Sequence, residues 1–98
     1  MLLKIHKAYR TIVAICDSDL YGEKFEDGKL QIDLTGSFFN GEEKTEAEIE
    51  AILQDFARED AIFNIVGKNA CRIAKRLNLI EESGILYIKN IPVALALL

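Results

Sequence analysis

The chain has one histidine, one proline, two cysteines and no tryptophan among its 98 residues. Each scarcity removes a class of chemistry. A zinc site takes about four Cys, His or carboxylate ligands. His6, Cys16 and Cys71, with no CxxC pair, cannot complete a Cys/His shell. No metal and no cofactor are expected. A Ser-His-Asp system would have to use His6, which falls in an early strand pattern, and no nucleophile elbow is present. The two cysteines stand far apart in sequence and read as buried, reduced thiols rather than a disulfide. With Pro92 the lone proline and no Ser- or Pro-rich tract, nothing looks like a linker, so residues 1–98 read as one domain. No apolar run approaches the roughly 20 residues that a membrane helix needs. The opening stretch MLLKIHKAYR is broken by Lys4, Lys7 and Arg10 and lacks a signal core. The expected location is the cytoplasm, with no membrane partner.

What is present is a balanced globular composition: 50% hydrophobic residues, formal net charge −4 and a sequence pI near 5.0. The acidic total argues against indiscriminate nucleic-acid binding but leaves room for a local basic patch. Periodicity predicts an α+β fold with a small antiparallel or mixed sheet, strands at about 2–8, 10–16, 29–35 and 85–90, covered by a helix pair at about 45–58 and 61–78. The second strand, apolar on both faces, is expected to be central. The segment Asp17–Gly28 reads as a loop, and Pro92 predicts that the tail from Asn90 onward is an edge strand or a bent continuation. Thr45 and Glu48 form a capping box ahead of the stripe Ile49, Ile52, Leu53 and Phe56. The expected core comprises Ile5, Val13, Ile15, Leu30, Ile32, Leu34, Ile49, Ile52, Leu53, Phe56, Val66, Ile73, Leu77, Ile85 and Tyr87.

Charge is sorted along the chain. Acids dominate residues 42–60, whereas Lys68, Arg72, Lys75 and Arg76 follow with no carboxylate among them. On a continuous helix over 61–78 these four cations share one face, opposite Ile62, Val66, Ala70, Ile73 and Leu77. That face is a candidate phosphate surface, with pairing to the acidic first helix as the plainer alternative. Asn64, Gly67 and Lys68 are a second candidate, because a Gly beside a Lys at a helix start can present amides and an ammonium to an anion. A true P-loop is excluded by the missing GxxxxGK[ST] and by the absence of a strand before it. Phe38 and Phe39, in a loop bracketed by Gly36 and Gly41, either plug the core or offer a stacking platform. The carboxylates Asp17, Asp19, Glu23, Glu26 and Asp27 do not follow a calcium-loop spacing and read as solvated.

These motifs resemble the archaeal proteins grouped as domain of unknown function 424. The resemblance runs nearly end to end, through Ala14-Ile15-Cys16-Asp17, Gly22, Phe25, Phe38-Phe39-Asn40-Gly41, Ala61, Asn64-Ile65-Val66-Gly67, Ala70 and Ile91-Pro92-Val93-Ala94. The family pattern has a histidine after the proline, where this chain has Val93. The resemblance implies a small archaeal cytosolic α+β protein and brings no catalytic residues with it. The leading expectation is a non-enzymatic module that binds RNA or a ribonucleoprotein through Asn64, Gly67, Lys68, Arg72, Lys75, Arg76, Phe38 and Phe39. The rivals are a protein–protein adaptor using its charged helices or apolar tail, and a small-molecule enzyme around Cys16, Asp17 and Asn64. A homodimer through Ile91–Leu98 is a further expectation.

Overall fold

In the computed structural model, which describes residues 1–97, a mixed six-stranded sheet carries two helices on one face and a small hairpin on the other. The strands are β1 Leu2–His6, β2 Ile12–Cys16, β3 Lys24–Asp27, β4 Leu30–Asp33, β5 Glu42–Glu43, β6 Ile62–Val66, β7 Leu86–Ile88 and β8 Ile91–Leu97; the helices are α1 Glu46–Ala57 and α2 Lys68–Arg76. The main sheet is ordered β5-β1-β2-β6-β8-β7, and β3 pairs with β4 apart from it. All neighbours are antiparallel except β2 and β6, which run parallel at the centre.

The α+β class and mixed sheet stand as expected. Helix α1 begins where its capping box places it: the Thr45 hydroxyl accepts from the Glu48 amide, and the Glu48 carboxylate accepts from the Thr45 amide. Its Ile49 and Leu53 are fully buried against the sheet, with Ile52 and Phe56 at the margin.

The continuous helix over 61–78 does not exist. Ile62–Val66 is instead the strand beside β2, and α2 starts only after Gly67. The five residues of that strand are apolar but for Asn64 and do not alternate in sequence, so a run this short resembles helix core. Gly67, at φ 113°, makes the strand-to-helix turn that other residues adopt poorly.

The tail is also corrected. β8 is not an edge strand; it lies between β6 and β7. Pro92 is tolerated there because the acceptor it would serve is already satisfied. The Gly67 carbonyl accepts from the Cys71 amide at 2.9 Å as α2 begins, while the Pro92 carbonyl accepts from the Gly67 amide at 2.9 Å. Two further expectations change. Part of the Asp17–Gly28 loop is strand β3, and the strand expected over 29–35 pairs with β3 rather than joining the main sheet. The β3–β4 and β7–β8 hairpins use two-residue turns with left-handed residues, Gly28 in one and Lys89 and Asn90 in the other.

Two apolar layers result. The helix-side layer joins Leu3, Val13, Ile15, Phe63, Ile65, Ala94 and Ala96 of the sheet to α1 and to Ala70, Cys71, Ile73 and Ala74 of α2. On the other side, Ala14, Cys16 and Val66 lie under Leu34 and Phe39, with Phe25 and Ile32 of the hairpin alongside. Of the expected core, Ile5, Leu30 and Tyr87 are exposed instead. Ile5 and Tyr87 belong to the outermost parts of the sheet, and Leu30 to the free hairpin. No described helix is long and apolar enough to cross a membrane.

Candidate binding surfaces

The α2 N-terminus was the first anion site to consider, and the structure fills it from within. β2 ends at Cys16 and places Asp17 beside the end of its parallel neighbour β6. Asp17 is a buried residue, 6% exposed, and its carboxylate accepts from the Asn69 amide at 3.0 Å and from the Ala70 amide at 2.9 Å. A carboxylate at the positive end of a helix satisfies orphan donors and the dipole together. Gly67 follows from the same contact, since a Cβ there would sit 2.6 Å from Asp17 Oδ2. A strand does precede Gly67-Lys68, contrary to expectation, yet the amides that would cradle a phosphate are already occupied by Asp17. A cleft of about 380 Å³ opens beside this lock, lined by Asp17, Asp19, Lys68, Asn69, Lys89 and Asn90 among others.

The basic face of α2 is real in its placement. Lys68, Arg72, Lys75 and Arg76 are all exposed, and Ala70, Cys71, Ile73 and Ala74 are buried. Its charge is met by neighbouring acids. Arg72 bonds Glu46 at 2.6 Å, Arg76 bonds Glu50 at 2.6 Å, and Lys75 bonds Glu82 at 2.9 Å. The Arg72 guanidinium holds the Glu46 carboxyl below its usual range. Hydrogen bonds from Tyr87 and then Lys75 do the same for Glu82. Only Lys68 of the four makes no ion pair among the described residues. The sorted charge of the sequence is therefore largely consumed between α1, α2 and the turn after α2.

The aromatic pair divides. Phe39 is buried at 6% exposure and plugs the second layer. Phe38 keeps 39% exposure and stacks on His6, with ring centroids 4.5 Å apart and planes 12° from parallel. His6 Nε2 also hydrogen-bonds the Phe38 carbonyl at 2.9 Å. This pins the histidine as a structural group. Cys16 and Cys71 are free and buried; burial pushes their thiols up to about 11 and about 12, with the Asp17 carboxylate adding to each. At neutral pH they are protonated and shielded, unlike reactive thiols.

Asn64 separates from the rest of its predicted run. It lies on the hairpin face of the sheet, in register with Lys4, Ala14 and Leu95. The next row is His6, Ile12, Ile62 and Leu97. The hairpin and the Phe39 loop roof the sheet above Ala14, Cys16 and Val66 but leave these rows partly open. Leu86, Leu95 and Leu97 are 56%, 59% and 63% exposed. With the half-buried Ile12 and Ile62, and Phe38 at the side, they form an open apolar strip with Asn64 as its central polar group. The apolar tail hinted at this surface in the sequence; Ile12, Ile62 and Leu86 required the register.

Comparison with known proteins agrees with this fold. The chain belongs to the family described as protein of unknown function (DUF424), whose profile matches residues 6–97. A solved structure, described as an uncharacterized conserved protein from Methanopyrus kandleri, superposes with a TM-score of 0.80 at 21% identity, covering 96% of this chain and 87% of that one. At that identity the likeness speaks for the fold alone. The comparison with curated proteins returned no match.

Proposed function

We propose that this protein is a non-enzymatic adaptor that binds another protein through the open strip of its sheet. The observation that carries the reading is the contrast between surfaces. Three of the four cations on the helix face are paired with the protein's own acids, whereas Leu86, Leu95 and Leu97 stand exposed on the same face of the adjacent strands β7 and β8. A contiguous apolar area rimmed by polar groups is the usual mark of a protein contact. The enzyme reading has less to draw on. Cys16 is raised and buried, Asp17 is committed to α2, and Asn64 stands apart from both the Asp17 lock and α2. The RNA reading retains Lys68, together with Phe38 as a single stacking surface. The reading places the protein in an archaeal cytoplasm, where buried thiols stay reduced.

The test is site-specific photo-crosslinking in native extract, with and without nuclease. A crosslinking side chain at position 95 should give protein adducts that resist nuclease, and one at position 72 should give none. Leu95→Asp with Leu97→Asp should weaken the captured complex by about 30-fold or more, the scale of an interface hot spot. Nuclease-sensitive adducts at position 72 would overturn the reading in favour of RNA. Adducts joining two copies of the chain at position 95 would assign the strip to a homodimer instead.

A further inference from the structure

The packing that makes Gly41 necessary also creates a chemical weak point. β5 pairs with β1 at Leu2 and Leu3, and just before it the Gly41 main chain comes so close to β1 that a Cβ there would sit 2.1 Å from the Leu3 carbonyl oxygen. A side chain does not fit at that position. The residue ahead of it is Asn40, which is exposed, lies outside every helix and strand, and is the only one of the five asparagines followed by glycine. Asparagine is among the thermolabile side chains. With no Cβ on the next residue, nothing screens that residue's amide nitrogen from the asparagine's own carboxamide carbon, and the backbone is free to turn toward it.

The fold restrains the two groups that would react. The Asn40 amide donates to the Ser37 carbonyl at 3.1 Å, and the Gly41 amide donates to the Phe39 carbonyl at 2.9 Å. Gly41 is also wedged against the main chain of Leu3 and Lys4. To react, the Gly41 nitrogen must give up its proton and swing toward the Asn40 side chain. Both steps are opposed while these contacts stand.

We propose that Asn40 is a modification site, a deamidation gated by the contact between Gly41 and β1. The site is independent of the adaptor reading. The Gly41 nitrogen attacks Asn40 Cγ, and the new N–C bond closes a succinimide. The bond from Cγ to the side-chain nitrogen breaks, and ammonia leaves with the proton from Gly41. Water then opens the ring at either carbonyl. One product is aspartate at position 40, with the main chain unchanged in length and one more negative charge. The other is isoaspartate, whose main chain runs through the side-chain carbon and is longer by one methylene. That methylene lies directly ahead of Gly41, where the packing against Leu3 and Lys4 leaves no slack. The aspartate product is therefore compatible with β5, whereas the isoaspartate product draws Glu42 out of register with Leu3. Asp27-Gly28 is the comparable pair elsewhere, but a carboxylate is a poorer electrophile than a carboxamide. Asp27 also accepts from the Lys89 amide at 3.3 Å, and its rearrangement brings no change in mass.

The test incubates the full chain in mildly alkaline buffer, folded in one arm and in denaturing urea in the other. The proteolytic peptide that contains Asn40 is followed by mass spectrometry and by an isoaspartate-specific methyltransferase. Asn40 should convert before any other asparagine, and at least about tenfold faster in urea than in the folded chain, since folded molecules react only when β5 opens. Urea too dilute to unfold the chain should raise that rate and amide exchange at Glu42 together. Asn40→Gln should keep the fold and lose the conversion. The separated isoaspartate product should exchange faster at Glu42 and Lys44, whereas Asn40→Asp should exchange like the wild type. Conversion at another asparagine before Asn40, equal rates in the folded and denatured arms, or an isoaspartate product with wild-type exchange at Glu42 would each overturn the proposal.

Discussion

Replacing Asp17 with alanine tests the joint between strand and helix on which this fold turns. The carboxylate caps α2 through two amides, at 3.0 Å to Asn69 and 2.9 Å to Ala70. Loss of an N-cap costs about 0.5–2 kcal/mol. Here the Ala70 amide is buried, so its donor stays dry when the acceptor leaves, which adds about 1–3 kcal/mol. The Asn69 amide is only partly buried and regains water. A net loss of about 2–4 kcal/mol is expected, a large share of the roughly 5–15 kcal/mol typical of a domain. Urea denaturation followed by circular dichroism should show the midpoint falling by roughly 1–2 M. Asp17→Asn should fall between wild type and alanine, since its amide nitrogen must face one of the two donors. A second variant isolates the mechanism. Gly67→Ala clashes with the Asp17 side chain and also strains a φ of 113°. In the Asp17→Ala background the clash with the carboxylate is relieved, while the 2.8 Å approach to the Cβ of residue 17 and the φ strain remain, so the double variant should lose somewhat less than the two single losses summed. A loss below about 0.5 kcal/mol for Asp17→Ala, against that 2–4 kcal/mol expectation, would refute the reasoning, as would full additivity.

Other expectations follow from single contacts. Gly41→Ala meets main chain rather than a flexible side chain, so it should cost about 1–3 kcal/mol in thermal or chemical unfolding and loosen β5, seen as faster amide exchange at Glu42. Arg76→Glu alone should destabilise by no more than about 1 kcal/mol, and Glu50→Arg in the same chain should restore most of it; both effects should shrink at high salt. Stability should decline in alkali: unfolded thiols ionise near 9.0, while the folded ones hold their protons up to about 11 for Cys16 and about 12 for Cys71, so unfolding releases protons from about pH 9 upward. Thiol reagents at neutral pH should accordingly label neither cysteine until denaturant is added. Sedimentation at tens of micromolar tests the homodimer: a strict monomer would confine Leu95 and Leu97 to a different partner, and Leu98 lies outside the described residues.

The elements most legible in the sequence were those with one wet face and a marked end. Helix α1 has both a capping box and an i, i+3, i+4, i+7 stripe, so its start and its buried residues could be read directly. β2 was legible as a central strand because both its faces are apolar. β6 was hidden for another reason: its five residues, apolar but for Asn64, do not alternate in sequence and lead through Gly67 directly into the helical period of α2. Pro92 misled about β8 for a local reason: proline is excluded from interior strands when its missing donor has a waiting acceptor, and the Gly67 carbonyl is not waiting. The position of the four cations on one face of α2 was recoverable from helical period alone, but their partners were not. Glu46 and Glu50 could be suspected; Glu82, from the turn that follows, depended on how the chain returns.

Segregated charge in a sequence invites a reading in terms of an external field, yet in this chain it chiefly marks an internal contact. α1 carries acids and α2 carries bases because the two helices lie side by side on one sheet face, and their exposed flanks meet as Glu46–Arg72 and Glu50–Arg76. Such pairs contribute little to stability individually. Their larger effect is to remove the field that a phosphate backbone would need over that surface. What remains unsatisfied lies elsewhere, and it differs in kind. On the hairpin face, three leucines stand exposed on two adjacent strands; on the β1 edge, Ile5 lacks a strand and Lys4 and Lys7 lack acids. The adaptor reading rests on the apolar strip, and nuclease-resistant adducts at position 95 are the result that separates a polypeptide partner from a nucleic acid, because apolar area carries no charge for a phosphate backbone to meet.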